Sequence, residues 1–70
     1  MNKIFAERLK ELREESGLSI QSLAKKINLG SSSISRWENL QADIKSEQLV
    51  VIASFFNVST DYLLGLDNYR

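Results

Sequence analysis

Phe5, Leu9 and Leu12 stand at i, i+4 and i+7 with charged residues between them. That one-sided apolar stripe predicts an amphipathic helix over roughly residues 3–15. Gly17 ends it, and Leu18 just beyond suits the hydrophobic contact that accompanies a glycine cap. Ile20, Leu23, Ala24 and Ile27 repeat at i, i+3, i+4 and i+7, a second helix with Ser19 before it as N-cap. Asn28 and Gly30 break the pattern, and asparagine tolerates the left-handed backbone of a helix end. In a third short helix Ile34 and Trp37 face inward. Residues 40–45 lack helical periodicity and read as a loop anchored by Ile44. Ser46 is a suitable cap for a fourth helix over about 47–56, with Glu47 complementing its positive end. Leu49, Ile52, Ala53 and Phe56 form the buried stripe there, while Val50, Val51 and Phe55 leave that helix apolar almost all round. Residues 57–58 turn the chain. Ser59 caps a last helix over about 60–64, ended by Gly65, with Leu63 and Leu64 in the core. Residues 66–70 show no pattern.

Five short helices and no strand pattern make the chain all-α. Seventy residues form one domain, 1–70, with an ordered core over about 3–65. A domain this small buries only about 60% of its unfolded surface, so the core must be efficient. There is no cysteine, hence no disulfide framework and no thiolate metal site. No apolar run reaches the roughly 18 residues of a membrane span, and no basic-then-apolar leader is present, so a cytoplasmic protein is expected. Catalysis is not expected either: His and Cys are absent, the acids are scattered, and no Gly-rich loop could cradle a phosphate. No cofactor, metal or small-molecule substrate is implied.

The second and third helices, joined by a tight bend, read as a helix-turn-helix, in which the first helix braces and the second offers polar side chains to a groove of DNA. Ser31, Ser32, Ser33, Ser35 and Arg36 lie outside the Ile34–Trp37 stripe. Serine is a mediocre helix former because its hydroxyl competes for nearby backbone groups. Four serines in five positions sacrifice propensity, and small hydroxyl side chains let a helix approach a duplex closely. A Ser-rich helix cap without further purpose is the plain alternative; the bihelical setting favours DNA. Arg36 is the only long polar side chain on that outer face, suited to a two-pronged contact with guanine O6 and N7. Lys25 or Lys26 and Asn39, with backbone N–H groups at the start of the third helix, would set register on phosphates.

Charge complicates this picture. Nine Lys+Arg balance nine Asp+Glu, whereas DNA-binding modules are often strongly basic. Residues 19–45 nevertheless carry Lys25, Lys26, Arg36 and Lys45 against Glu38 and Asp43, and residues 46–70 carry the compensating acidic excess. Tight nonspecific binding is therefore not expected.

Taken in order, RLKELREESGLS, SLAKKI, SISRWEN and IASFFNVSTDYLLG resemble the Cro/C1-type (XRE-like) helix-turn-helix family of phage repressors and small bacterial regulators, over Leu9 to Gly65. The resemblance implies a lambda-repressor-like fold of five short helices, the third entering the major groove, and dimers on two-fold symmetric operators. It places base contacts at Ser31, Ser32 and Arg36, with Ser35 beside them, and backbone contacts near Ser19, Ile20, Gly30, Asn39 and Gln41. It also implies a structural ion pair between Arg13 and Glu38, and it makes Trp37 a core residue. Three positions depart from the family pattern. Ile20 replaces a Gln that bonds a phosphate, Gly30 replaces a Ser or Thr N-cap, and Leu40 replaces the Gly after Glu-Asn.

Val51, Phe55, Tyr62 and Tyr69 are more apolar surface than one small domain needs, and they mark the last two helices as a dimer interface. The expected function is a sequence-specific transcriptional regulator, a repressor, acting on double-stranded DNA as a homodimer. The alternative is a protein-interaction or dimerisation module, antitoxin-like or scaffold, that keeps the fold with weak or no DNA binding.

Overall fold

Lys3–Glu15 (α1), Ile20–Ile27 (α2), Ser31–Glu38 (α3), Ser46–Phe56 (α4) and Thr60–Leu64 (α5) are the helices of the computed structural model, which describes residues 2–70. The described residues contain no strand, so the fold is all-α, with five short helices. Each helix sends one fully buried aliphatic side chain to a common centre: Leu9, Leu23, Ile34, Ile52 and Leu63. Burying such a side chain is worth about 1.5–3 kcal/mol. Phe5, Leu12, Trp37 and Leu49 close around that centre, and Ile44 anchors the loop against it.

The helix ends follow from local chemistry. Asn2 caps α1 by accepting from the Phe5 N–H at 3.0 Å, while its amide donates to the Leu64 carbonyl at 3.0 Å. One side chain thus both caps α1 and ties it to the end of α5. At the other end of α1, Gly17 sits at φ +70°, with Leu18 N–H donating to Arg13 O and Gly17 N–H to Glu14 O. This is the doubly bonded cap that needs a left-handed residue. The end of α3 has the same bond pattern, Gln41 N–H to Arg36 O and Leu40 N–H to Trp37 O, but the left-handed residue is Leu40 at φ +59°. Leucine there costs about 1–2 kcal/mol relative to glycine. Its side chain is half-buried and, with Trp37, Ile44 and Leu64, lines a cavity of about 220 Å³.

Three sequence expectations need correction. α4 begins one residue earlier than its serine implied. Lys45 is the N-cap, and Ser46 is already helical, because the Gln48 side chain reaches back to accept from the Lys45 N–H at 3.1 Å. Tyr62 is in the core, only 6% exposed, rather than on an interface. Its ring lies beneath the Arg8 guanidinium, 4.2 Å from the centroid. Arg8 also donates to the Tyr62 carbonyl, to Asp67 O at 2.8 Å and to Asn68 Oδ1 at 3.3 Å. Finally, the patternless tail is docked. Arg70 grips both carboxylate oxygens of Glu15, at 2.9 and 2.6 Å, and its carbonyl accepts from the Ser59 N–H.

Candidate nucleic-acid interface

Ser19 starts α2 by accepting from the Ser22 N–H at 3.0 Å, and its hydroxyl donates to Ser22 Oγ at 2.9 Å. The Ser19 side chain is therefore engaged in capping. Asn28 ends α2 in the left-handed region at φ +57°, and Leu29 N–H returns to Ala24 O. This bend turns the chain within the three residues 28–30 and brings α3 against α2. Gly30 is the N-cap of α3 and provides no side-chain hydrogen bond. Ile34 is fully buried and Trp37 is 3% exposed, which fixes the rotation of α3 about its axis.

That rotation turns Ser31, Ser32 and Arg36 outward as exposed residues, with Ser33 and Ser35 half-buried at the edges. Asn39 closes α3 through its side chain, donating to Ser35 O at 2.8 Å. Lys25, Lys26, Gly30, Asn39 and Gln41 are exposed around the same region. Ile20 is half-buried and packs on the core, so it offers the surface an apolar edge.

Arg13 and Glu38 lie side by side between α1 and α3. Arg13 Nε donates to Glu38 Oε2 at 2.7 Å and Nη2 to Oε1 at 3.0 Å, while Nη1 donates to Leu18 O at 2.8 Å. Both side chains are nearly buried, 11% and 5% exposed. The Glu38 hydrogen bond raises the Arg13 pKa above its ordinary value against the opposing effect of burial. This pair withdraws Glu38 from the surface. In residues 19–45, Lys25, Lys26, Arg36 and Lys45 then stand with Asp43 as the remaining acid, a more basic face than the sequence count implies.

The four arginines divide by role. Arg8, Arg13 and Arg70 are held by intrachain partners, whereas Arg36 has none among the described residues. The expected interface side chains Val51 and Phe55 are each 39% exposed on one face of α4, and Tyr69 is 84% exposed on the tail. Tyr62 does not join them. Sequence periodicity could not separate Tyr62 from Val51, since both are apolar residues on apolar helices.

No helix among the described residues is long and apolar enough to cross a membrane. No group of acids among them is placed to hold a metal ion.

Residues 9–63 match the Helix-turn-helix family. The chain is 39% identical over 63 residues to the HTH-type transcriptional regulator ImmR of Bacillus subtilis (strain 168), covering 90% of this chain and 50% of that protein. It is 35% identical over 63 residues to the uncharacterized HTH-type transcriptional regulator YobD of the same strain, covering 90% and 56%. The HTH-type transcriptional activator BcrR of Enterococcus faecalis is 35% identical over 61 residues, covering 87% and 30%. The chain thus spans about half the length, or less, of these curated relatives.

Proposed function

The chain belongs to the helix-turn-helix family, and from that premise we propose that it is a sequence-specific DNA-binding transcriptional regulator working in the cytoplasm. Helix α3 enters the major groove of a two-fold symmetric operator. The observation that carries this reading is the split character of α3: Ile34 and Trp37 lock one side into the core, while the other presents Ser31, Ser32 and the unengaged Arg36 to solvent.

Contacts divide by chemistry. Arg36 reads a guanine through O6 and N7, and Ser31 and Ser32 add hydroxyls that can donate or accept. Lys25, Lys26, Asn39, Gln41 and the backbone near Ser19, Ile20, Gly30 and Ser35 set register on phosphates. Two copies pair through the α4 face bearing Val51 and Phe55, with Tyr69 at its rim, and place two α3 helices about 34–36 Å apart, one turn of duplex. Dimerisation compensates for the low net charge by joining two modest contacts. Where the operator overlaps a promoter, occupancy represses.

Selection of bound duplexes from a random pool tests this directly. A two-fold symmetric consensus is expected, bound with a steep negative dependence on salt. Sedimentation with that operator should give two chains per duplex. Zero net charge favours the alternative of a protein-interaction module; enrichment of no duplex at low salt would establish that reading instead.

A further inference from the structure

The cavity of about 220 Å³ beside the end of α3 lies where the start of α1, the cap of α3, the loop after it and the end of α5 meet. Its lining changes character with depth. Asn2 and Asp43 are exposed, Leu40 and Ala42 are half-buried, and Phe5 and Trp37 are buried. The cavity therefore opens at a polar rim and ends on two aromatic side chains. The Asn2 amide at the rim is engaged at both atoms, by the Phe5 N–H and the Leu64 carbonyl. Trp37 differs. It is only 3% exposed, yet its indole N–H makes no hydrogen bond among the described residues. No buried side-chain nitrogen or oxygen among them is sealed off without a partner, so this N–H keeps an opening, and the cavity is the opening that Trp37 lines.

An indole N–H donates and cannot accept, and a buried one ordinarily finds a partner. What satisfies it is an acceptor brought from outside. That acceptor is uncharged, because the lining includes an acid and no lysine or arginine to pair an anion at depth. The rest of the molecule is apolar, to match Phe5, Leu40 and Ala42, and the aromatic floor favours a ring. Volume sets its size, since a cavity of roughly 150 Å³ with apolar walls admits benzene. Leu40 sets the cavity apart from a packing defect. It is a bulky residue held at φ +59°, and backbone outliers of that kind cluster at ligand clamps. We propose that this cavity binds a small uncharged aromatic molecule, one ring carrying a carbonyl or ether oxygen that accepts from the Trp37 indole N–H. The proposal is independent of the DNA-binding reading.

Trp37 is the only tryptophan of the chain, so a single indole N–H signal reports on the site by NMR. Acetophenone, toluene and benzoate are the probes. Acetophenone should move that signal saturably and raise the melting temperature as its concentration rises. It should bind roughly three- to tenfold more tightly than toluene, the weight of one hydrogen bond. Benzoate, with a ring and oxygens but a full charge, should leave both readouts unchanged. Ala42→Leu, which fills the cavity, should abolish the response. Leu40→Gly keeps the left-handed backbone and removes part of the wall, so binding should weaken roughly fourfold or more, the weight of one buried methylene. The absence of a saturable shift with acetophenone would overturn the proposal, as would equal affinity for benzoate. Equal affinity for toluene would overturn the role given to the indole N–H. If Ala42→Leu fails to fold, Leu40→Gly decides: parental affinity there would put the binding elsewhere and overturn the site.

Discussion

Arg13 and Glu38, 25 positions apart, join the last turn of α1 to the last turn of α3 through two parallel hydrogen bonds of 2.7 and 3.0 Å. Helix α3 is therefore braced from behind by a charged clamp as well as by Ile34 and Trp37. The Leu18 carbonyl takes a third guanidinium N–H, so each of the three guanidinium nitrogens has an acceptor. Removing one partner strands the other in a nearly dry site, at a cost of about 3–5 kcal/mol. Arg13→Ala should lower the melting temperature accordingly, and Glu38→Gln, which keeps an acceptor, should lower it less. An unchanged melt for Arg13→Ala would reduce the clamp to a solvated contact.

Two glycines make a matched test of what the left-handed backbone costs. Gly17 at φ +70° has open space around an added Cβ, whereas at Gly65, φ +84°, an added Cβ would come within 2.9 Å of Ile4. Gly17→Ala should cost about 1–2 kcal/mol, the conformational penalty alone. Gly65→Ala should cost a further ~1–3 kcal/mol, because α5 must shift away from α1. Denaturant melts of the two variants measure the difference. Equal costs would show that the Ile4 side chain yields freely.

The first four helices were legible because each carries an apolar stripe at helical spacing, α5 because Ser59 and Gly65 bracket it, and four of the five carry an explicit stop: Gly17, Asn28, Asn57 and Gly65. The end of α3 was not signalled in that way. Leu40 occupies a left-handed position that its residue type does not announce, and hydrogen bonds from the surrounding chain hold it there. The docked tail was invisible for a related reason. Arg8 and Arg70 act on Tyr62, Asp67 and Glu15 across more than 50 positions, and polar contacts at such separations leave no periodic trace. The polar face of α3 was legible because Ile34 and Trp37 fix its rotation.

The tail also has a pH signature. Hydrogen bonds from Arg70 hold the Glu15 carboxyl below its ordinary value of 4.5. A lowered folded-state value stabilises the docked form fully above the ordinary range and loses that contribution as pH falls below 4.5 through the lowered value. Both groups are exposed, so salt should weaken the effect. Carboxyl titration by NMR should show the Glu15 midpoint rising towards its ordinary value in Arg70→Gln, with loss of exchange protection at the Ser59 N–H. Identical midpoints in the two proteins would detach the tail from Glu15.

Arg36→Ala should remove discrimination at one base pair per half-site while leaving the fold intact. The residue is exposed and its side chain makes no hydrogen bond or ion pair among the described residues, so its truncation strands no polar partner. Its direction is set by its neighbours: Ile34 and Trp37 point into the core, and Arg36, one residue before the tryptophan, cannot share their direction. A two-pronged contact to guanine contributes about 1–3 kcal/mol of discrimination, whereas a phosphate contact weakens every sequence alike and reduces the salt slope by about one. Binding of Arg36→Ala to the operator and to each single-base variant separates these effects. A loss of roughly 5- to 150-fold on the parental operator, with one position becoming indifferent to base, is the expected result. A uniform loss with a flatter salt slope would make Arg36 a backbone clamp, and specificity would then fall to Ser31, Ser32 and the deformability of the duplex.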